Sequence, residues 1–228
     1  MAQSISVIIP AYNEEGNIKK AVQACLEVLP SLTDAFEIIV VNDGSKDGTK
    51  QMAEELARYA PSVKVYHHAF NKGMGAAVAT GISHARHDLV FPIPADLQFD
   101  IKELRNFLPL IENSDIVIGY RVQRAGNLYR RFITFANHLL LRIFFGLTVR
   151  DPSWVKLFRR KIFDSISVTS SGFFWEAEVL IKAVRNHFRI KEVEAHSYQR
   201  MAGTSSGGKP SAAVKTFFTM IRFWLRQR

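Results

Sequence analysis

Cysteine is scarce in this chain of 228 residues, and a long apolar run is missing. The single thiol, Cys25, cannot form an internal disulfide, so we expect a reducing compartment. No apolar run approaches the roughly 20 residues that a membrane-spanning helix needs. The first residues also lack the basic and apolar segments of a secretory signal peptide. The sequence therefore predicts a cytoplasmic location. It predicts no disulfide scaffold and no membrane-spanning helix.

Several phosphate-binding and catalytic motifs are missing too. The sequence contains no Walker A motif and no G-x-G-x-x-G fingerprint, and the "GMG" at 73–75 is too short to predict a dinucleotide site. No Ser-His-Asp or Cys-His set is evident, and the seven histidines lack metal-ligand spacing. Chemistry based on an activated serine or cysteine is therefore not expected.

Charge is divided unevenly between two parts of the chain. Residues 1–118, the amino-terminal half, contain 10 Lys/Arg and 15 Asp/Glu, whereas residues 119–228, the carboxyl-terminal half, contain 20 and 6. Unless it is simply a solvated surface, such a basic half indicates an anionic partner: a phosphate, an acidic membrane or nucleic acid. No nucleic-acid-binding motif accompanies the charge, so we predict no nucleic-acid partner.

Apolar β-branched runs alternate with helical patterns over the first 120 residues. The predicted strands, with helices between them, are 5–12, 36–44, 63–69, 88–94 and 114–121. Such alternation predicts an α/β fold with a mostly parallel central sheet flanked by helices. Ligands of these sheets bind at the carboxyl ends of the strands. In this sequence those ends are 10–14, 42–45, 71–73 and 94–98.

Polar residues at these strand ends suit a nucleotide diphosphate and a divalent cation. Tyr12 can stack on a base, and Asp43 can accept hydrogen bonds from a base or a ribose. Mg²⁺ and Mn²⁺ prefer oxygen ligands. Asp96 and Gln98 offer a carboxylate and an amide carbonyl, so we predict that they hold one of these metals beside the diphosphate.

The carboxyl-terminal half contains two apolar helical stretches edged with arginine, 129–150 and 211–228. Each is either buried core or an amphipathic helix that lies in a membrane interface. Four arginines of this half suit bidentate contact with a phosphate: Arg121, Arg130, Arg131 and Arg200. A phosphate monoester acceptor carries its own nucleophilic oxygen, so it needs positioning and charge compensation more than a general base.

Five ordered segments resemble the motifs of inverting family 2 glycosyltransferases with a GT-A fold. They are "VIIPAYNEEGNI", "IIVVNDGSKDGT", "NKGMGAAVATG", "PADLQFD" and "IVIGYR". Three later segments, "VRDPSWVKLFRR", "GFFWEAEVLIKA" and "YQRMAGTSSGG", resemble those of dolichyl- and undecaprenyl-phosphate sugar transferases. The resemblance implies a single GT-A domain over 1–228, in which the amino-terminal half binds the nucleotide sugar and the carboxyl-terminal half faces the acceptor and the membrane.

The resemblance further implies sugar transfer from a nucleotide-sugar donor to a polyprenyl phosphate at the cytoplasmic membrane face. It gives catalytic roles to Asp96, Gln98, Arg121 and Arg200, with Asp96 and Gln98 holding Mg²⁺ or Mn²⁺. It assigns substrate binding to a larger set: Pro10, Ala11, Tyr12, Glu14, Asp43, Lys72, Ala95, Asp96, Arg130, Arg131 and Glu178. For Glu178, a solvated position on a helix is the alternative. Without a spanning helix, the chain is expected to dock peripherally or to use a membrane-protein partner.

The chain departs from the family's pattern at three places. Pro94 stands where the family often has the first aspartate of Asp-x-Asp-x-Gln. Trp154 and Val155 replace a small residue or a glycine-aromatic pair, and Ser206 replaces a lysine. Two alternatives remain open: transfer to a soluble or polysaccharide acceptor and, because of Pro94, binding of a nucleotide sugar without catalysis.

Overall fold

The computed structural model describes residues 4–122, 128–199 and 210–226, and for 128–134, 210 and 211 it describes the backbone alone. The strands are β1 (Ser4–Ala11), β2 (Ala35–Asn42), β3 (Val63–His67), β4 (Leu89–Pro92), β5 (Ile116–Arg121), β6 (Lys156–Arg159) and β7 (Ile190–Ala195). The helices are α1 (Ile18–Val28), α2 (Thr49–Tyr59), α3 (Met74–His84), α4 (Leu104–Ile111), α5 (Leu128–Phe145), α6 (Trp175–Arg185) and α7 (Pro210–Leu225).

The seven strands form one sheet in the order β3-β2-β1-β4-β6-β5-β7. Strand β6 runs antiparallel to its neighbours β4 and β5, and the other pairs are parallel. The predicted α/β fold with a mostly parallel sheet is confirmed, as are its first five strands. The sequence does not predict β6 or β7, because charged residues occupy half of each strand and β6 is only four residues long.

Apolar side chains of β1 fill both faces of the sheet, as expected of a central parallel strand. On one face Val7 packs in a cluster that includes Val22 of α1, and on the other Ile8 packs with Val78 of α3. Helix α3 comes this close because residue 81 is glycine: a Cβ there would lie 2.3 Å from Ile8 Cγ2. Helices therefore cover the faces of the sheet, and a ligand has access at the carboxyl edge.

Two glycines at the start of α3 join the amino-terminal half to the loop 170–172 of the carboxyl-terminal half. Gly73 has a φ of 99°, in the region that favours glycine. The backbone N–H of Gly75 donates to the carbonyl of Ser171 at 2.8 Å, and a Cβ on Gly75 would lie 2.0 Å from the Ser170 carbonyl oxygen. The "GMG" of the sequence thus has a packing role at this contact between the halves.

Helices α5 and α7 pack together through aromatic rings, with centroids 5.2 Å apart for Phe144 and Trp224 and 5.9 Å apart for Phe145 and Phe223. A second set of apolar side chains on the same helices is 45% to 65% exposed. This exposed apolar stripe consists of Phe135, Leu139, Ile143, Val214, Phe218 and Leu225. Each helix therefore has a packed side and an exposed apolar side. Within the described ranges, no helix is long and apolar enough to cross a bilayer.

Candidate active site

A cavity of about 840 Å³ opens at the carboxyl edge of the sheet and extends between β1, β4 and the helices of the carboxyl-terminal half. Seven of the residues that the sequence assigns to the site line it: Pro10, Tyr12, Glu14, Ala95, Asp96, Gln98 and Arg121. They come from three separate strand ends, as the topology of a parallel sheet requires. Met74 of α3, Trp175 of α6 and Thr216 of α7 also line it.

The turn after β1 is fixed by the turn after β2. Asn13, at φ 54°, receives a hydrogen bond on its side-chain oxygen from Lys46 N at 2.8 Å, and its own N–H donates to Ser45 Oγ at 3.0 Å. The N–H of Glu14 donates to Thr49 Oγ1 at 2.8 Å. These contacts hold Tyr12, which is 39% exposed, and Glu14 at the edge of the cavity.

The turn after β4 places Asp96 and Gln98 in the cavity wall. Between them Leu97 has a φ of 60°, and Asp96 Oδ1 accepts a hydrogen bond from Gln98 N at 3.1 Å. The carbonyl of Gln98 accepts from Tyr198 N at 2.9 Å, and the Phe99 ring packs edge-on against Phe91. Anchoring on both sides gives the carboxylate of Asp96 a defined position.

The donor set fits a divalent cation that is completed by a substrate. Among the described residues, no three His, Cys, Asp or Glu side chains come together as a metal site. Mg²⁺ is commonly held by one or two protein oxygens together with substrate phosphates and water rather than by a full protein cage. The carboxylate of Asp96 and the amide carbonyl of Gln98, which line the same cavity, match that pattern.

Asp43 is not part of the cavity lining and organises a loop. Its carboxylate accepts hydrogen bonds from Lys72 N at 2.9 Å and from Gly73 N at 2.8 Å. His68 Nδ1 lies 2.6 Å from Asp43 Oδ1, and the aspartate side chain is only 4% exposed. Asp43 is absent from the cavity lining, and its hydrogen bond to a base or ribose stays a prediction.

Arg121, at the end of β5, lines the cavity with its charge already compensated. Its Nε donates to Asp151 Oδ2 at 2.8 Å and its Nη2 to Asp151 Oδ1 at 3.1 Å. The guanidinium also lies over the Trp154 ring, 4.8 Å from the centroid. Since a guanidinium has five N–H donors, this fork fixes the group and still leaves donors for a ligand.

A second charge pair, between Lys156 and Glu176, lies in the cavity wall. Lys156 Nζ donates to Glu176 Oε1 at 3.1 Å and to the carbonyl of Trp154 at 2.6 Å, and its side chain is 1% exposed. Burial lowers the pKa of Lys156, although the charges of Glu176 and Asp151 oppose the shift. Burial likewise raises the pKa of Glu176 against the effect of Lys156.

Glu178 differs from Glu176 although it lies only two positions further along α6. It is fully buried, so the alternative of a solvated helix residue is wrong. Its carboxylate accepts from Thr169 N at 3.0 Å, Ser170 N at 2.7 Å and Lys182 Nζ at 2.6 Å. These bonds fix the loop that contacts α3. Glu178 does not line the cavity, so its assigned role in substrate binding has no support from this position.

The remaining predicted site residues are in different situations. Ala11 is buried in β1. Lys72 is exposed, and its Nζ lies 5.8 Å from the Phe70 ring centroid. Neither residue lines the cavity. The side chains of Arg130 and Arg131, and the whole of Arg200, lie outside the described residues.

Sequence reasoning missed Asp151, Lys156 and Glu176 as members of the site. The available signal was weak: Lys156 and Glu176 are ionisable residues inside largely apolar segments. The sequence shows Trp154 as a departure from the family pattern, but it does not predict the contact of Trp154 with Arg121.

Comparison with known proteins agrees with the sequence motifs. The model of the family described as glycosyl transferase family 2 matches residues 6–167. Dolichyl-phosphate beta-glucosyltransferase ALG5A of Trichomonas vaginalis is 31% identical over 207 residues, which cover 83% of this chain and 64% of that protein. Dolichol-phosphate mannosyltransferase of Pyrococcus furiosus is 30% identical over 227 residues, which cover 96% of this chain and 62% of that protein. The chain thus spans slightly less than two thirds of the length of each relative.

A solved structure shows the same fold. Glucosyl-3-phosphoglycerate synthase of Mycobacterium tuberculosis, crystallised with Mn²⁺, UDP and glucosyl-3-phosphoglycerate, matches with a TM-score of 0.71 at 21% identity. The match covers 96% of this chain and 79% of that one. Crystals of the same enzyme with Mg²⁺ and UDP also match. At this identity the likeness establishes the fold, which is GT-A, as predicted.

Proposed function

The chain belongs to glycosyl transferase family 2, and we propose that it transfers a sugar from a nucleotide-sugar donor to a polyprenyl phosphate, with inversion at the anomeric carbon. One observation carries the proposal: residues from three strand ends line one cavity with a cation-compatible carboxylate, Asp96, and a guanidinium, Arg121. The names of the two dolichyl-phosphate relatives support a lipid phosphate as acceptor. The single-domain organisation over 1–228 stays a prediction.

In the donor part of the cavity, Tyr12 would face the base, while Pro10 and Glu14 would border the nucleotide. Asp96 and Gln98 would hold Mg²⁺ or Mn²⁺. When bound, such a cation neutralises charge on the leaving diphosphate. Glu14 is fixed by the turn after β2 and Asp96 by Gln98 N, so the site is organised before the donor binds.

In the acceptor part, an oxygen of the lipid phosphate would attack the anomeric carbon. The bond from that carbon to the nucleoside diphosphate breaks, and the electron pair leaves with the diphosphate. Arg121, fixed by Asp151, would orient the acceptor phosphate through its remaining donors. Contributions of Arg130, Arg131 and Arg200 to phosphate binding stay predictions. Because the acceptor is already an anion, no general base is needed.

We assign the exposed apolar stripe of α5 and α7 to contact with the membrane that contains the acceptor. Aromatic and aliphatic side chains lie beside exposed basic residues, among them Lys215 and Arg222, a combination that suits the interface of an anionic membrane. The stripe adjoins the cavity, since two of its residues, Val214 and Phe218, also line the cavity. Peripheral docking at the cytoplasmic face would thus bring a lipid-linked phosphate to Arg121.

The variant Asp96→Ala tests the proposal, with Asp100→Asn as its matched control. Asp100 lies in the same turn, caps the following turn through Lys102 N at 2.9 Å, and does not line the cavity. Transfer is measured from UDP-glucose and GDP-mannose to dolichyl and undecaprenyl phosphate in vesicles with Mg²⁺ or Mn²⁺. We expect Asp96→Ala to lower the rate by at least about 100-fold with an unchanged melting temperature, and the control to keep its rate.

Wild-type turnover in Asp96→Ala would overturn the proposed metal site. Transfer to water-soluble hydroxyl acceptors alone would identify a different acceptor class. Donor binding without transfer to any acceptor would identify a binding protein instead of an enzyme.

A further inference from the structure

The pair formed by Lys156 and Glu176 has no task in the transfer proposed above. Both residues line the cavity, and both arise from the carboxyl-terminal half, Lys156 from β6 and Glu176 from the first turn of α6. The Lys156 side chain is only 1% exposed and its ammonium already donates to Glu176 and to the Trp154 carbonyl, so it offers a further phosphate little accessible positive charge. A neutral group that forms hydrogen bonds is the better match to this part of the wall.

Glu176 has acceptor capacity to spare. One carboxylate oxygen, Oε1, accepts from Lys156 Nζ, and no second hydrogen bond to the carboxylate is found in the described part of the chain. The side chain is 21% exposed, whereas that of Lys156 is 1% exposed. An ionised carboxylate accepts up to about four hydrogen bonds. The lysine therefore fixes a carboxylate that still presents an oxygen to the cavity.

Two tryptophans flank the pair. Lys156 Nζ lies 5.7 Å from the Trp175 ring centroid and donates to the backbone carbonyl of Trp154, so one ammonium group connects both tryptophans with Glu176. The indole Nε1 of Trp154 is buried and has no hydrogen-bond partner among the described residues. That N–H has no surface in the cavity, so Trp154 contributes to this wall through its ring and through the backbone carbonyl that accepts from Lys156.

An aromatic wall and a carboxylate oxygen are groups that recognise a sugar ring. The apolar C–H face of a pyranose packs on an aromatic ring, and its hydroxyls both donate and accept hydrogen bonds. An anionic sugar such as a uronic acid would meet the charge of Glu176 instead and would be disfavoured in a partly buried site.

We propose that Glu176, held by Lys156, is the residue that selects a neutral donor sugar. This inference rests on the proposed function, because it assigns the sugar part of the nucleotide-sugar donor to this wall. It makes Glu176 a specificity-determining residue and gives it no proton to transfer.

The test compares the affinity for a nucleotide sugar with that for its nucleoside diphosphate. Calorimetry with Mg²⁺ gives dissociation constants for UDP-glucose against UDP and for GDP-mannose against GDP, and UDP-glucuronate serves as the anionic probe. We expect Glu176→Gln to lower the ratio of nucleotide-sugar affinity to nucleoside-diphosphate affinity, which is the sugar's contribution, by about tenfold or more. The affinity for the diphosphate alone should stay within about twofold of the wild-type value. The preference for UDP-glucose over UDP-glucuronate should become smaller. Trp154→Phe is expected to lower that contribution by a smaller factor.

Matched controls are Glu112→Gln, an exposed glutamate of the amino-terminal half, and Trp224→Phe, which does not line the cavity. If Glu176→Gln fails to fold because Lys156 loses its partner, the double variant Lys156→Met/Glu176→Gln removes both charges. It is expected to show the same loss of sugar discrimination.

The outcomes separate this inference from the function on which it rests. If the wild type binds nucleotide sugars and the variants retain its preference, Glu176 does not select the sugar while the proposed function stands. An unchanged affinity ratio with a fall in kcat alone would identify a catalytic base and overturn the selection role. If the wild type binds no nucleotide sugar at all, both proposals fail.

Discussion

The two halves of the molecule hold the carboxylates around the cavity in different ways. In the amino-terminal half, backbone N–H groups are prominent partners: Asp43 accepts from Lys72 N and Gly73 N beside its contact with His68, and Asp96 accepts from Gln98 N. In the carboxyl-terminal half, basic side chains provide the partners, as in the pairs Arg121–Asp151, Lys156–Glu176 and Lys182–Glu178.

This difference separates the tasks of the two halves. A backbone amide is neutral, so a carboxylate held by amides keeps its full negative charge and can bind a cation. In a pair with lysine or arginine, the ligand is set by the partner that stays accessible: Arg121 keeps spare N–H donors for a phosphate, whereas in the pair with Lys156 it is the carboxylate of Glu176 that is exposed. Asp96 therefore suits the metal, whereas Glu176 suits a sugar.

The largest effect is expected where the halves meet, at Gly75. Gly75→Ala would put a Cβ 2.0 Å from the Ser170 carbonyl oxygen, a backbone atom that cannot rotate away. We expect a loss of about 3 kcal/mol or more in the free energy of unfolding, measured by urea denaturation. The control is Gly172→Ala in the facing loop, where a Cβ would have no heavy atom within 4 Å. Equal stability of the two variants would show that the halves do not depend on this contact.

Glu178→Gln tests whether the carboxylate of Glu178, in the carboxyl-terminal half, has a structural role. The amide keeps the size of the side chain but loses the charge that accepts from Lys182, Thr169 and Ser170. Hydrogen bonds to charged groups contribute about 1.5–3 kcal/mol each. We expect a loss of about 2–3 kcal/mol at pH 7, with donor affinity unchanged in the fraction that remains folded. A loss of donor binding at full stability would instead return Glu178 to the substrate site.

The difference in stability between the wild type and Glu178→Gln should depend on pH. Burial alone would raise the pKa of Glu178, but hydrogen bonds from Lys182, Thr169 and Ser170 hold it below its usual value. A group whose pKa is depressed in the folded state contributes stability above its unfolded pKa, about 4.3, and loses it as pH falls through the folded pKa. The wild-type advantage over Glu178→Gln should therefore shrink below about pH 4 in urea titrations.

The comparison of halves also explains what the sequence could predict. Tyr12, Glu14, Asp96 and Gln98 directly follow apolar strands, and the carboxyl ends of parallel strands meet at one edge, so local pattern and topology suffice to group them. Asp151 and Lys156 lie in one segment and Glu176 in another, and their contacts with Arg121 and with each other form only through tertiary packing. No local sequence pattern predicts such contacts. The resemblance to the family indicated Glu178, which lies two residues away from Glu176, the carboxylate that lines the cavity.

The smallest effect is expected on the surface of α7. Replacing Lys215 and Arg222 by glutamine removes two exposed charges beside the exposed apolar stripe without changing buried contacts. Because each basic residue near an anionic bilayer adds roughly 1 kcal/mol, we expect partitioning onto phosphatidylglycerol vesicles to fall at least about tenfold, with an unchanged melting temperature. The matched control replaces Lys19 and Lys20, exposed on α1 of the acidic half, and should retain vesicle binding. High salt should remove the difference between the two double variants, since it screens charge and leaves apolar insertion intact. If both double variants bind equally at low salt, the stripe does not contact the membrane in the orientation that brings a lipid phosphate to Arg121.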